Sequence, residues 1–462
     1  MRILLIESAY NNKYPPLGLM KIAAFHKARG DNVHFVKGLN KEVMTQLWDR
    51  IYITTLFSFY WDKTIETIKY YEFSVKDPQN LFIGGPMATI LADEIERETG
   101  FKPVKGLLNE KGKLRLPNDH LIDSLVPDYS MLEQVDYKYP ANNAYFAYMT
   151  RGCVRRCPFC VVYIIEPEYV KYIPLKQQIA LIIEKYGEKK DLLLLDNNVL
   201  ASSEFDKIIN EIQEIGFYKG AKFKGKNRYV DFNQGIDMRL LKKERMKKLA
   251  EIPIKPLRIA FDSYSLKDKY VKAVRLAAEC GIKYLSNYIL FNYDDTPEEF
   301  YLRLRINVEL NEEFEKEGYP TRIWSFPMKY SPILGEHGKD RKFVGEKWNP
   351  RYLRSIQCIL NATHGVVGPK RKFFEAAFGK NVKEFRKLLL MPEDYIIYRE
   401  DHKNNGAAYW NSLYSSLPSQ QKADFHNLIC ETQANNGIRS KYPNINKLLS
   451  HYKKHNLEKN NE

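Results

Sequence analysis

The sequence is poor in cysteine, has no long apolar run, and has no excess of acid. Six cysteines in 462 residues are too few for a disulfide scaffold. No stretch of about 18 apolar residues occurs, which argues against a membrane span. The opening Met1-Arg2-Ile3-Leu4-Leu5-Ile6-Glu7 is apolar too briefly for a signal peptide. Hydrophobic residues at 44% and charged residues at 28% exclude wholesale disorder and coiled coil. The expectation is a cytoplasmic protein with no membrane contact, long enough for two or three domains.

Charge is present but uneven. Against 57 acidic side chains stand 72 Lys and Arg, for a net charge of +15. Residues 1–140 are neutral, with 18 of each sign, whereas residues 338–390 carry 13 basic and 4 acidic side chains. A basic excess points to an acidic partner only if it gathers at a functional face.

Residues 1–105 alternate strand and helix signals. Strands are expected at Arg2–Glu7, Asn32–Val36, Ile51–Phe57 and Leu81–Ile83, and helices at Leu17–Arg29 and Trp61–Phe73. That alternation predicts a doubly wound Rossmann-like sheet, whose ligands would bind at the carboxyl ends of the strands. Residues 106–143, rich in Pro, Asp and Asn, read as a linker. Residues 144–361 carry six more strand–helix repeats, with strands near 145–150, 192–196, 229–234, 257–262, 283–291 and 322–327. Their helices are expected near 175–187, 203–215, 241–250, 267–280, 297–314 and 349–361. The pattern predicts a (β/α)₆ partial TIM barrel with its active site at the strand carboxyl ends. Residues 362–462 read as a mostly helical extension with a mobile last dozen. The fold class is therefore α/β throughout the first two modules.

The cysteines are unevenly placed. Cys153, Cys157 and Cys160 form CxxxCxxC just after the first barrel strand, whereas Cys280, Cys358 and Cys430 are scattered on expected helix faces. Three thiolates on one loop suit three irons of a cubane cluster. Zinc would need a fourth ligand, and no histidine lies between His120 and His337. Inert buried cysteines are the third reading.

This motif, with Phe159 before the third cysteine, resembles that of the radical S-adenosylmethionine (radical SAM) superfamily, and the likeness extends over most of residues 144–330. The resemblance implies that Cys153, Cys157 and Cys160 ligate a [4Fe-4S] cluster. SAM would chelate the fourth iron and be cleaved by one electron to methionine and a 5′-deoxyadenosyl radical. An electron donor such as flavodoxin or ferredoxin is implied with it. Phe159 would pack near adenine or anchor the loop. Asp196, Asn197 and Asn198, ending the second strand, would meet the SAM amine. Gln234 and Arg239 would meet ribose or carboxylate, Arg239 alternatively pairing with the following helix. Asp262 and Ser263 would bind ribose or substrate, and Asn292 falls where the family contacts adenine. Asp295 reads as a helix cap, and Lys329 points to the barrel mouth as a catalytic, substrate or SAM-carboxylate contact.

A doubly wound domain ahead of such a barrel resembles the cobalamin-binding class, as do the loops Pro15-Pro16-Leu17-Gly18-Leu19 and Gly84-Gly85-Pro86 and the segment Val126–Leu132. The histidine of that class is missing between Glu7 and Gly18, and His26 and His34 stand elsewhere. Histidine-ligated cobalamin is therefore not expected, while a cobalamin-dependent methyl transfer is the alternative reaction. A methylthiotransferase is not expected, because no cysteine precedes Cys153. Lys339, Arg341, Lys342, Lys347, Arg351, Arg354, Lys370, Arg371 and Lys372, with Phe373 and Phe374, suggest a nucleic acid or phosphorylated metabolite on residues 338–390. A peptide or neutral metabolite stays open. So does a basic nucleic-acid-binding protein with a structural metal.

Overall fold

The computed structural model describes residues 1–334, 338, 342–431 and 439–452. Lys339, Arg341 and the final residues from 453 lie outside the described residues. The chain forms two compact units, Met1–Arg258 with Ser331–Phe343, and Ile259–Tyr330 with Val344 onward.

The first unit opens with strands β1 (Arg2–Glu7), β2 (Asn32–Lys37), β3 (Arg50–Thr54) and β4 (Leu81–Gly84), paired in parallel in the order β2-β1-β3-β4. Ile3, Leu4, Leu5 and Ile6 of β1 are fully buried, so both faces of the strand are covered. Leu4 and Ile6 share a core with Ile65 and Ile68 of helix Trp61–Tyr71 and Ile95 of helix Ala92–Thr99. The opposite face meets helix Leu17–Ala28, where His26 Nε2 lies 2.9 Å from Tyr52 Oη. Each such Leu or Ile contributes roughly 1.5–3 kcal/mol on burial, which explains why a strand of six residues is stable here.

Residues 106–143 lie against this unit rather than hanging free. The Asp119 carboxylate accepts from Gly112 N and Leu114 N at 2.8 and 2.7 Å. Gln134 Oε1 accepts from Phe35 N at 2.8 Å, which blunts the outer edge of β2. The sheet β5 (Ala144–Ala147), β6 (Asp191–Leu194) and β9 (Val230–Phe232) follows, again parallel. A short hairpin, β7 (Lys222–Phe223) with β8 (Lys226–Asn227), occupies the Lys-rich run before β9. Strand β10 (Leu257–Arg258) ends the unit's main segment.

In the second unit, Ile259 N and Phe261 N donate to Ser286 O and Tyr288 O of β11 (Tyr284–Phe291). Strand β12 (Arg322–Lys329) pairs with β11 in parallel over eight residues. Helix Pro297–Lys316 starts with a capping box made by Thr296 and Glu299. Among the described residues, seven helices between Arg371 and Leu449 build the C-terminal region around Phe385, Leu389, Trp410 and Phe425. The fold is thus α/β: a doubly wound N-terminal domain, a six-repeat strand–helix series of the partial-barrel type, and a mostly helical extension. Among the described residues no helix is long and apolar enough to cross a membrane.

Candidate active site

The cysteine loop is a closed excursion. Arg151 and Val170 exchange both backbone hydrogen bonds at 3.0 Å, so residues 151–170 leave β5 and return to the same neck. Gly152 makes the turn with φ +69°, and a Cβ there would lie 2.3 Å from Glu168 O. Only glycine fits both conditions. Cys160 N donates to Cys157 O at 3.0 Å, and helix Val162–Ile165 follows.

One carboxylate, absent from the sequence expectations, ties the neck together. Glu166 Oε2 accepts from Gly152 N at 2.8 Å and from Asn197 Nδ2 at 2.7 Å, while Oε1 accepts from Arg151 Nη1 at 2.5 Å. Arg151 also meets Asp123 at 2.5 Å and lies 3.6 Å over the Tyr148 ring. Lys21 pairs with the same Asp123, and burial pushes its amine down to about 8.

The end of β6 is used in three ways. Asp196 is fully buried and accepts from Thr150 N at 2.5 Å, Thr150 Oγ1 at 2.7 Å and Met149 N at 3.1 Å. Its carboxylate, expected to meet the SAM amine, braces the strand end that launches the loop. Burial pushes that carboxyl up to about 6, although the Thr150 and Met149 hydrogen bonds oppose the shift. Asn197 is oriented by Glu166. A carboxylate accepts only, so the amide nitrogen faces it and the amide oxygen points away. Asn198 donates from Nδ2 to Cys153 Sγ at 3.4 Å, and its Oδ1 is buried with no hydrogen-bond partner.

Past β9, Asn233 Oδ1 accepts from Tyr14 Oη at 2.6 Å, and Gln234 is exposed. Arg239 pairs with Asp237 at 2.6 Å, within its own turn rather than with the following helix. Asp237 also holds Arg155 of the cysteine loop at 2.9 Å. These two arginines hold the Asp237 carboxyl below its usual range despite burial. Burial raises the Cys160 thiol, with the Cys157 and Cys153 sulfurs acting in the same direction. Phe159 is half-buried on the loop.

The remaining expected residues belong to the second unit. Ser263 caps the turn Tyr264–Leu266; burial lowers the pKa of Arg303, and Asp295 and half-buried Asp262 oppose that shift. Asn292, with φ +69°, donates to Tyr330 O at 3.0 Å and accepts from Gly345 N at 2.7 Å. Its amide therefore pins a backbone crossing instead of standing open for adenine. Asp295 is not a cap. It forms a buried ion pair with Arg303 and accepts from Trp348 Nε1 at 3.2 Å. Lys329 is exposed at the last position of β12.

Part of the basic segment 338–390 is paired within the chain. Lys347 pairs with Asp294, Arg354 with Glu393, Arg371 with Glu312, and Arg386 with Glu298. Arg351 is buried and donates to Met391 O. Lys370, Lys372, Lys380 and Lys383 of the segment are exposed.

The carboxyl edge of the N-terminal sheet is closed by its own side chains. Buried Glu7 pairs with Lys37 at 2.9 Å and accepts from Tyr139 Oη. The Lys37 ammonium lies 4.5, 5.1 and 5.5 Å from the Tyr137, Tyr10 and Tyr139 rings. His26 is engaged by Asp31 at 2.7 Å and His34 stacks on Trp48. These residues do not fit a histidine-ligated cobalt.

Thiolates on a clasped loop after a parallel strand, beside a buried unpartnered amide oxygen, fit an iron–sulfur enzyme. A tetrahedral zinc site would draw its sulfurs to within about 4 Å of one another, given Zn–S near 2.3 Å. Among the described residues no three His, Cys, Asp or Glu side chains are grouped to hold a metal ion of any kind. Residues 147–304 match the radical SAM superfamily. A domain of this type indicates an enzyme that cleaves SAM reductively at a [4Fe-4S] cluster to a 5′-deoxyadenosyl radical.

Among solved structures, the radical SAM methyltransferase TsrM from Kitasatospora setae, with cobalamin and [4Fe-4S] cluster bound, is similar in fold. Its TM-score is 0.52 at 13% identity, covering 77% of this chain and 78% of TsrM. TsrM with tryptophan substrate and aza-SAM gives 0.52 at 14%, covering 77% and 76%. The cobalamin-dependent radical enzyme OxsB gives 0.45 at 11%, covering 93% and 70%. No curated protein matches the chain in sequence.

Proposed function

We propose that Cys153, Cys157 and Cys160 hold the cluster, that Asn197 and Asn198 receive the SAM amine, and that the enzyme abstracts hydrogen from an organic substrate. The observation that carries this reading is Asn198. One end of its amide donates to Cys153 Sγ, and the other end is a buried acceptor without a partner. An ammonium group is the natural complement of such an oxygen. The chain's own residues supply position: Asp196 braces the strand end, Glu166 turns the Asn197 oxygen outward, and the Arg151–Val170 clasp fixes the loop. A one-electron carrier of the flavodoxin or ferredoxin class is the partner, and a reducing cytoplasm is the setting. Replacing Asn198 with Leu should weaken SAM binding at least about tenfold, the loss of one charge-assisted hydrogen bond, while iron content is retained. Unchanged SAM affinity in that variant would remove the assignment.

The fold likeness to TsrM over 77% of this chain favours a second reading, methyl transfer with a cobalamin bound without a protein ligand to cobalt. Anaerobic incubation with hydroxocobalamin followed by gel filtration decides it. Retention of the corrin absorbance supports methyl transfer, and its complete loss eliminates it.

A further inference from the structure

We infer that Tyr14, carried by the N-terminal domain, is a positioning residue of the SAM site. It turns the Asn233 amide so that Nδ2 donates to an acceptor oxygen of SAM, on its carboxylate or its ribose. This rests on the cluster and SAM assignment above and makes the N-terminal domain a working part of that site. Tyr14 lies on the loop after β1, yet it packs against the second sheet. Phe146 of β5, Leu193 of β6 and Asp231 of β9 are partners in register, so their side chains share one face. Tyr145 points the other way, onto Phe217 just past helix Phe205–Glu214, so the Phe146 face is the one turned from that helix.

The Tyr14 ring meets Phe146 edge-on, with 6.5 Å between centroids, and its Oη donates to Asn233 Oδ1 at 2.6 Å. Burial pushes the phenol up to about 12, and Asp231 acts in the same direction, so the hydroxyl keeps its proton as a donor. The loop is fixed from its other side. Tyr137 Oη accepts from Asn12 N at 3.0 Å and donates to Asn12 O at 2.7 Å, and Ala141 N donates to Lys13 O at 3.2 Å. Buried Pro15 and Pro16 follow and stiffen the exit. Asn233 N donates to Leu194 O at 2.8 Å. Asn233 therefore sits beside the strand end that runs on to Asn198, the residue that donates to Cys153 Sγ. With Oδ1 engaged, the half-buried Asn233 presents Nδ2, which makes no hydrogen bond among the described residues. Its neighbours at this strand end do not compete for the role. Gln234 is exposed, and Arg239 is held by Asp237.

The test uses the full chain, reconstituted anaerobically, with SAM affinity measured by equilibrium dialysis without reductant. Tyr14→Phe keeps the ring on Phe146 and removes only the hydroxyl. It should weaken SAM binding about three- to tenfold, the worth of one hydrogen bond, while iron content stays at the wild-type value. Asn233→Ala should lose at least as much. The double variant should bind SAM as Asn233→Ala does, within about twofold, because the Tyr14 hydroxyl acts only through Asn233. A purely structural role would weaken binding equally in both backgrounds. Competition with methionine, which carries the carboxylate, and with 5′-methylthioadenosine, which carries the ribose, locates the oxygen. The competitor that carries it should lose affinity in Asn233→Ala. Unchanged SAM affinity in either single variant, losses that multiply in the double variant, or wild-type affinity of Asn233→Ala for both competitors would each overturn the inference. A wild-type chain that takes up neither iron nor SAM would instead sink the cluster assignment itself.

Discussion

Replacing Glu166 with Ala should loosen the cysteine loop without unfolding the protein. In the wild type its carboxylate satisfies three buried donors: Gly152 N, Asn197 Nδ2 and Arg151 Nη1. After truncation the first two are orphaned, at roughly 1–3 kcal/mol each. Arg151 keeps Asp123 but loses its second carboxylate. Removing one partner from a buried charged network costs about 3–5 kcal/mol, so the local opening equilibrium should rise by about two to four powers of ten. Hydrogen exchange followed by mass spectrometry on peptides spanning 151–170 reads this directly, and reconstituted iron content reads its consequence. Glu166→Gln separates the contributions. Its amide oxygen can still serve Gly152 and Asn197, but its amide nitrogen would face the guanidinium of Arg151. It should therefore fall between wild type and Ala, with the Arg151 side weakened. If the Ala variant exchanges like the wild type and binds as much iron, Glu166 does not organise the loop.

Three other outcomes follow from buried charges. The Asp196 carboxyl is raised to about 6 in the fold, above its unfolded value near 3.8. The folded state then holds a proton that the unfolded state has released. Stability should fall as pH rises from about 4 to 6 and be flat above, a change on the order of 2–3 kcal/mol. Asp196→Asn, which keeps the accepting oxygen, should abolish that slope; Tm at pH 5 and pH 8 checks it, and an unaltered slope would assign the titration elsewhere. Arg303→Leu should destabilise the second unit by about 3–5 kcal/mol because Asp295 stays buried without its cation; denaturation followed by tryptophan fluorescence reports it, and wild-type stability would contradict the buried-pair assignment. Finally, Arg354→Ala or Arg371→Ala should leave the salt dependence of any RNA binding unchanged, because both are engaged within the chain. A reduced salt slope by filter binding would restore the polyanion surface.

The strands and helices were legible because each carries its own apolar pattern. The expected and observed strands at 2–7, 32–37, 283–291 and 322–329 agree within two residues. The cysteine motif was legible for a related reason: its three cysteines sit within eight residues and need no tertiary partner to be noticed. What stayed hidden was pairing across distance. Glu166 lies 31 positions from Asn197, and nothing local marks it as the loop's anchor. The acids that neutralise Arg371 and Arg386 stand 59 and 88 positions earlier. A charge count along residues 338–390 cannot see them, and the segment therefore looked more cationic than it is. Asp196 and Asn292 were found at the right strand ends, but a sequence cannot tell a side chain that faces a ligand from one that braces its own backbone.

The central claim is tested most directly by anaerobic reconstitution of the wild-type chain and of Cys153→Ala, Cys157→Ala and Cys160→Ala, followed by iron and sulfide analysis and reduction with SAM. The wild type should bind about four irons with matching sulfide, as a cubane cluster requires, and release 5′-deoxyadenosine. Each variant should lose the cluster and the product together. One zinc per chain with no sulfide, or deoxyadenosine formation that survives loss of any of the three cysteines, would contradict it.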